Sequence, residues 1–242
     1  MDTLKETIKE KYGKIARETT TNTGCCGSEP STCMADEYDA NTIKEFASAN
    51  LGLGCGIPTE YADIREGMTV LDLGAGAGID VFIASKYVGT SGNVIGLDMT
   101  EAMVRRARQN ANELGITNVE FHLGEIEQMP IASNTIDRVI SNCVLNLVPD
   151  KPKAFSEIYR VLKPGGMFVV SDIVTSGSLP TSIRDSAEQW AGCVAGAMDQ
   201  AEYLRLITDA GFSNVEILKS KLYDAYSSGT YQLLSITVKG VK

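Results

Sequence analysis

The spacing of apolar and polar residues changes along the chain, and the change predicts the order of helices and strands. Over residues 3–16 apolar side chains recur every three or four positions, which predicts an amphipathic helix. A stretch rich in Thr, Gly and Ser at 19–31 predicts a loop, and a short helix at 43–49 and a Gly-rich turn at 51–58 follow it. From Met68 onward, short apolar runs alternate with helical patterns.

The alternating part predicts a doubly wound α/β domain. Apolar runs predict strands at 69–73, 94–97, 119–123, 138–141 and 167–173, the last preceded by a turn at Pro164-Gly165-Gly166. Helical patterns lie between them at 79–87, 101–114 and 153–162, and further helices at 183–198 and 201–210 precede late strands at 215–218 and 232–238. Strands joined by helices form right-handed βαβ units on a parallel sheet. We therefore predict a mostly parallel, seven-stranded sheet in residues 61–242, with a helical insertion at about 176–211 and an N-terminal extension at 1–60.

The net negative charge of the chain argues against two classes of binding partner, nucleic acids and anionic membranes. The 242 residues carry a net charge of −9, with a sequence pI of about 4.8. Binding to nucleic acid or to an anionic membrane requires a basic surface, so we expect neither partner. The charged first residues do not resemble a signal peptide, and no run reaches the length of a membrane span, which predicts a cytoplasmic protein.

A glycine-rich loop after the first predicted strand indicates a cofactor site. The segment Asp72–Gly78 reads Asp-Leu-Gly-Ala-Gly-Ala-Gly, and its glycines let the backbone turn tightly and approach a ligand closely. A dinucleotide-binding fingerprint has two residues between its second and third glycines, whereas this segment has one. The spacing resembles the signature of class I S-adenosylmethionine-dependent methyltransferases, which implies a Rossmann-like fold and this cofactor.

Further candidate cofactor residues follow the other strands, at the edge where ligands bind in open α/β sheets. Asp98 ends the second strand, where a carboxylate can accept both ribose hydroxyls. The methyltransferase resemblance implies that Glu125 lies at the adenine edge, that Ile126 packs on the ring, and that Asn142 lies beside the methionine. Tyr12 either covers the cofactor or packs in the core. The predicted cofactor-binding residues are Tyr12, Asp72, Gly74, Ala75, Gly76, Gly78, Asp98, Met99, Glu125, Ile126 and Asn142.

The cysteines indicate chemistry rather than structural disulfides. The chain has six of them: Cys25, Cys26, Cys33, Cys55, Cys143 and Cys193. The last three come from distant segments that are expected to meet at the mouth of the cleft. No Cys-x₂₋₄-Cys pair predicts zinc, and the only histidine, His122, lies within a predicted strand. Three thiols fit a soft, thiophilic centre such as trivalent arsenic, although buried cysteines are also common as inert small apolar residues.

The sequences around these cysteines resemble those of arsenite S-adenosylmethionine methyltransferases. The resemblance rests on Leu51-Gly-Leu-Gly-Cys55-Gly, Asp72–Gly78, Ser141-Asn-Cys143-Val-Leu-Asn-Leu147, Leu162-Lys-Pro-Gly-Gly166 and Trp190-Ala-Gly-Cys193. It extends from about Lys11 to about Phe212 and departs from the family at Ile57, where asparagine is expected.

The resemblance implies that Cys55, Cys143 and Cys193 hold As(III), whose lone pair attacks the cofactor's methyl group. It also implies a thiol reductant, glutathione or thioredoxin. Cys25 and Cys26, with Cys33, either capture arsenic or take part in electron transfer, or they belong to an oxidisable loop that has neither role. Two alternatives stay open at this point. One is methylation of a small organic acceptor with the cysteines serving a structural role, and the other is a thiol-based metalloid-binding protein that has lost turnover.

Overall fold

A computed structural model describes residues 2–18, 38–177, 179–180, 196–223, 227 and 230–242. Most of the helix predicted at 183–198 lies outside the described residues. The same is true of Cys25, Cys26, Cys33 and Cys193.

Helices and strands alternate along the described chain as the hydrophobic pattern predicts. The helices are α1 (Asp2–Arg17), α2 (Ala40–Glu45), α3 (Ile79–Val88), α4 (Glu101–Leu114), α5 (Lys151–Val161) and α6 (Gln200–Asp209). The strands are β1 (Thr69–Leu73), β2 (Asn93–Asp98), β3 (Val119–Leu123), β4 (Ile136–Asn142), β5 (Leu162–Gly177), β6 (Met198–Asp199), β7 (Ser213–Leu222) and β8 (Tyr231–Val241). Short 3₁₀ helices occupy Pro58–Glu60 and Leu145–Leu147.

The strands form one mostly parallel sheet. Its order is β3-β2-β1-β4-β5-β8-β7, in which the first five strands are parallel and β8 is antiparallel to both neighbours. Within the described residues the sheet has eight strands rather than the predicted seven, because β6 pairs with β5 outside this order. The helical pattern that predicted a helix through Met198 was wrong there. Asp199 instead caps α6, with its carboxylate accepting the backbone N–H of Ala201 at 2.9 Å, so the helix begins only at residue 200.

The turn predicted at Pro164–Gly166 belongs to β5 itself. Leu162 pairs with Ile136, and Met167 pairs with Arg138, so five steps of β5 oppose two steps of β4. Gly165 lets β5 accommodate its additional residues by adopting a φ of 76°, and its backbone N–H donates to the carbonyl of Lys242 at 3.0 Å. The segment is thus an irregularity within a strand, stabilised by the end of the chain.

Helices cover both faces of the sheet, which confirms the doubly wound class. On one face, the buried cluster joins the sheet to Phe155 of α5 and Tyr203 of α6. On the other face, Phe82 of α3 and Val104 of α4 pack on the sheet in a second cluster. None of the described helices is long and apolar enough to cross a membrane.

The helix α1 lies against the domain near the carboxyl ends of the strands. The guanidinium of Arg106 on α4 donates to the carbonyl oxygens of Ala16 and Glu18, at 3.1 and 3.3 Å. Ile8 of α1 is 1% exposed and joins a third apolar cluster, which also contains Cys55 and Cys143. The extension predicted for residues 1–60 therefore contributes directly to the region where a ligand is expected.

Candidate active site

A cleft opens at the carboxyl ends of the central parallel strands, beneath α1. The space between its lining residues is about 1120 Å³, part of it open to solvent. Ten predicted site residues line it: Tyr12, Asp72, Gly74, Ala75, Gly76, Asp98, Met99, Ile126, Asn142 and Cys143. Of the other predicted residues in the described ranges, Gly78, Glu125 and Cys55 are not among those that line the cleft.

The glycine-rich loop forms the floor of the cleft and is tied to the neighbouring strand. The backbone N–H groups of Gly74 and Ala75 donate to the carbonyl of Leu97 at 2.8 and 3.0 Å. Gly74 has a φ of 69°, and a Cβ there would collide with the side chain of Val144. Gly78 precedes the first turn of α3 and shapes the loop without lining the cleft. Glycine at position 74 thus lets the loop pack directly against Val144, which follows β4.

Asp98 lies where the sequence placed a ribose-binding carboxylate. One of its oxygens accepts the backbone N–H of Gly76 at 3.0 Å, and the other accepts that of Thr100 at 2.8 Å. Burial raises the pKa of Asp98, while the hydrogen bonds from these two N–H groups act in the opposite direction. Each carboxylate oxygen has a second lone pair, so the anchored carboxylate can also accept hydroxyl groups from a ligand in the cleft.

Beyond β3, the residue that the resemblance places at the adenine edge forms ion pairs with lysines of α1. Glu125 turns toward α1, where Lys5 Nζ lies 2.7 Å and Lys9 Nζ 3.4 Å from its carboxylate oxygens. The hydrogen bond from Lys5 holds the pKa of Glu125 below its usual value. Ile126 lines the cleft as predicted, and Glu127 lines it beside Lys5, with 2.9 Å between Lys5 Nζ and Glu127 Oε1. Sequence reasoning missed Lys5 and Glu127, although lysines four residues apart on one face of α1 were a signal for an acidic partner.

The cleft is strongly acidic. Burial raises the pKa of Asp72 well above its ordinary value, and the charges of Asp80 and Asp98 raise it further. Asp80 also lines the cleft, and burial raises its pKa to about 6, against the hydrogen bonds from Tyr38 and a neighbouring amide. Lys5 is the only Lys or Arg among the described residues that line the cleft. Carboxylates crowded in this way favour a ligand with a positive charge, and the arrangement fits an adenosine with a cationic tail.

Asn142 connects the cofactor cleft to the loop that carries Cys55. Its Oδ1 accepts the backbone N–H of Cys55 at 2.9 Å, and its Nδ2 donates to the carbonyl of Gly56 at 2.7 Å. Gly54 and Gly56 allow this close approach, because a Cβ on Gly54 would lie 2.7 Å from Asn142 Nδ2 and one on Gly56 would collide with the Ser171 side chain. The Cys55 loop is therefore fixed against the end of β4.

Cys143 directly follows Asn142 and has an unusual backbone. Its φ is 61°, in the left-handed region, and its N–H donates to the carbonyl of Ser171 at 2.7 Å. A residue other than glycine in this conformation is strained unless its surroundings compensate, and such residues concentrate at functional sites. Cys55 is 1% and Cys143 4% exposed, and both belong to the third apolar cluster, so the two thiols lie in a region from which water is largely excluded.

Buried ionisable groups lie close to these thiols. The hydroxyl of Tyr203 donates to Asp172 at 3.0 Å inside the core. Burial raises the pKa of Tyr203 well above its usual value, and the charges of Asp172, Cys55 and Cys143 raise it further. Burial likewise raises the pKa of Asp172 to about 7, while the positive charge of Lys151 lowers it. Sequence reasoning missed this group, because its members come from α5, β5 and α6.

The structure brings together two of the three cysteines predicted to hold arsenic. Cys193, Cys25 and Cys26 lie outside the described residues, so their predicted roles stay predictions. Within the described ranges, no group of three or more His, Cys, Asp or Glu side chains is arranged to hold a metal ion. His122 lies in β3 and faces Glu120, with 3.2 Å between its Nε2 and the carboxylate.

The chain is similar to known methyltransferases. A family model described as "Methyltransferase domain" matches residues 64–211. The crystal structure of an arsenic(III) S-adenosylmethionine methyltransferase from Chlamydomonas reinhardtii superposes with a TM-score of 0.72 at 35% identity, covering 89% of this chain and 75% of that one.

Two curated relatives of the chain have names that state different activities. An arsenite methyltransferase of Halobacterium salinarum is 42% identical over 230 residues, which are 88% of this chain and 58% of that protein. The chain thus spans little more than half the length of this relative. The ubiquinone/menaquinone biosynthesis C-methyltransferase of Escherichia coli is 32% identical over 205 residues, covering 76% of this chain and 81% of that enzyme.

Proposed function

Because the chain belongs to the arsenite S-adenosylmethionine methyltransferase family, we propose that it methylates trivalent arsenic held by its cysteine thiolates. The observation that carries the proposal is the position of Cys143, which lines the cofactor cleft directly after Asn142, while Asn142 also holds the Cys55 loop. A thiol-bound acceptor would then lie beside the methionyl end of the cofactor. Cys193 is the third thiol of this proposal.

Capture of the substrate requires only exchange of ligands. Three thiols displace the hydroxyl groups of neutral arsenous acid and release water, which leaves a pyramidal arsenic centre with an exposed lone pair. The acidic cleft does not repel this neutral molecule. The burial of Cys55 and Cys143 in an apolar cluster favours a neutral thiol-bound product over free anions.

Methyl transfer needs alignment more than acid–base chemistry. S-adenosylmethionine supplies the methyl group on a sulfonium, and the arsenic lone pair forms the As–C bond as the S–C bond breaks and its electrons pass to sulfur. Because the nucleophile carries no proton, no general base is required. The residues contribute by holding the acceptor in position and by excluding water, which favours a reaction that removes positive charge from the sulfonium.

The transfer formally oxidises arsenic from the trivalent to the pentavalent state, so a further cycle needs two electrons. Two thiols of the chain can supply them and form a disulfide, which glutathione or thioredoxin then reduces by thiol–disulfide exchange. Cys25 and Cys26, with Cys33, are candidates for this exchange and for the first capture of arsenic. Because the cycle depends on reduced thiols, we place it in the reducing cytoplasm.

The test is an assay of arsenic species on the purified full chain. The protein is incubated with arsenite, S-adenosylmethionine and a thiol reductant, and the arsenic species are separated by chromatography with elemental detection. We expect methylated arsenic, and we expect Cys55→Ser, Cys143→Ser and Cys193→Ser each to lower the rate by about two orders of magnitude, because a misplaced acceptor loses alignment. Ser85→Ala, which removes a buried hydroxyl group from α3 outside the lining of the cleft, is the control for the loss of a buried polar side chain.

The relationship to the Escherichia coli C-methyltransferase supports a second candidate, methylation of a small organic acceptor. In that case no methylated arsenic forms, and Cys143→Ser keeps its activity toward the organic acceptor. A protein that binds arsenite tightly but forms no methylated product would instead be a metalloid-binding protein. Either result refutes the arsenic methylation proposed here.

A further inference from the structure

One carboxylate oxygen of the cleft has no hydrogen-bond partner among the described residues. Asp80, on the first turn of α3, is 4% exposed and lines the cleft. Its Oδ2 accepts hydrogen bonds from the Tyr38 hydroxyl at 2.8 Å and from Asn142 Nδ2 at 3.2 Å. Its Oδ1 is buried and has no partner among the described residues. A buried acceptor without a partner is costly, and such atoms in a cleft indicate a donor that a ligand supplies.

The surroundings of Asp80 favour a cation over a neutral donor. The charge of Asp80 raises the pKa of Asp72, so the two carboxylates lie close enough to repel each other. Lys5, the basic residue of the described cleft lining, is paired with Glu125 and Glu127 instead. A positive group on the ligand would both complete the hydrogen bond to Oδ1 and relieve this repulsion.

The order of strands indicates which part of the cofactor reaches Asp80. Along the carboxyl edge, β3 is followed by β2, β1 and β4. The adenine-side residue Ile126 follows β3, and the ribose carboxylate Asp98 ends β2, so the cofactor's amino-acid tail extends over β1 toward β4. Asp80 is hydrogen-bonded to Asn142, the last residue of β4. It therefore lies at the methionyl end of the cleft.

We propose that Asp80 Oδ1 accepts a hydrogen bond from the α-ammonium group of the methionyl moiety of S-adenosylmethionine, and that Tyr38 and Asn142 position this carboxylate. The inference rests on the cofactor and not on the identity of the methyl acceptor. The bound cation holds Asp80 in its ionised form. Because Asn142 also holds the Cys55 loop, cofactor binding and the position of that thiol share one hydrogen-bonded side chain.

The experiment measures binding by titration calorimetry in the absence of arsenic. The ligands are S-adenosylhomocysteine, its analogue with hydrogen in place of the α-amino group, and 5′-methylthioadenosine, which lacks the amino-acid portion. We expect Asp80→Asn to weaken the binding of S-adenosylhomocysteine by roughly tenfold to a hundredfold, as for loss of a charge-assisted hydrogen bond. Binding of 5′-methylthioadenosine should stay unchanged, whereas the matched variant Asp98→Asn should weaken all three ligands.

The analogue without the amino group makes the test independent of any single variant. The wild type should bind this analogue more weakly than S-adenosylhomocysteine, whereas Asp80→Asn should bind the two equally, because the partner of the ammonium is already lost. If removal of the α-amino group from the ligand weakened binding equally in the wild type and in Asp80→Asn, the inference would be overturned. Equal weakening of 5′-methylthioadenosine by Asp80→Asn would overturn it as well. If the variant failed to fold, equal binding of the two ligands to the wild type would refute the inference by itself. A wild type that bound none of the three would refute it together with the cofactor assignment, whereas failure of arsenic methylation alone would leave these results intact.

Discussion

The ionisation of Asp80 predicts how the stability of the ligand-free protein depends on pH. Burial raises the pKa of this carboxyl to about 6, whereas an aspartate in an unfolded chain titrates near pH ~3.9. Between these values the folded protein keeps a proton that the unfolded chain has released. The contribution of Asp80 to the free energy of unfolding is therefore most favourable below the unfolded pKa, and it is lost as the pH rises through the folded pKa.

The size of this effect follows from the difference between the two pKa values. About two pKa units correspond to on the order of 3 kcal/mol in total, of which about 1 kcal/mol is lost between about pH 5 and about pH 7. Asp80→Asn removes the titrating group but keeps an amide oxygen that can accept the hydrogen bonds from Tyr38 and Asn142. The variant should therefore be more stable than the wild type at neutral pH, and the difference should shrink on acidification.

The assay is urea denaturation followed by circular dichroism, at about pH 5, pH 6 and pH 7. Asp209→Asn, which removes an exposed carboxylate at the end of α6, is the matched control. We expect the stability difference between Asp80→Asn and the wild type to grow by about 1 kcal/mol from the lowest to the highest pH. If the free energies of unfolding of the wild type and of Asp80→Asn changed with pH in parallel, the pKa of Asp80 would not be raised in the folded protein, and the reasoning would be refuted.

Three other changes test the packing around the site. Gly56→Ala pushes a methyl group against the Ser171 side chain; it should destabilise the protein by about 1–3 kcal/mol in thermal denaturation and weaken arsenite binding. Unchanged arsenite binding would show that the position of the Cys55 loop does not matter for it. Tyr203→Phe removes a 3.0 Å hydrogen bond to the buried Asp172 and should cost about 1.5–3 kcal/mol in urea denaturation, so an unchanged midpoint would contradict the assigned bond. Lys5→Met removes the ion pairs between α1 and the residues after β3. It should speed amide hydrogen exchange in α1 but not in α4, as measured by mass spectrometry. Equal exchange in the wild type and the variant would mean that apolar packing alone holds α1 against the domain.

Much of the fold follows from local rules, and the sequence therefore predicted it. The β1 and α4 segments have the predicted ends, because an apolar run before glycine and a 3.6-residue period before Gly115 are complete signals within a few positions. The regular alternation of such segments predicted the doubly wound sheet. The same signals missed β6, because a two-residue strand has no period of its own and forms only by pairing with β5.

The candidate site likewise has features that local sequence predicts and features that depend on the tertiary structure. The positions of the glycine-rich loop, Asp98 and Cys143 at the cleft could be predicted, because each lies at the end of a strand or directly after one, and the carboxyl ends of parallel strands meet at one edge. The sequence by itself thus determined the class of fold and the cofactor, and it predicted residues that line the cleft. Whether Glu125 or Glu127 faces the cleft depended on the path of the chain after β3 and on the lysines of α1.

Only the tertiary structure decided which distant side chains share hydrogen bonds. Tyr38 and Asp80 are 42 positions apart, and Cys55 and Asn142 are 87 positions apart. No local pattern encodes such pairs, because their contact depends on the order of the strands and on the close approach that Gly54 and Gly56 permit. The unpartnered oxygen of Asp80 could be identified only after every neighbour of that carboxylate had been placed, since burial and the absence of a donor are properties of the folded chain.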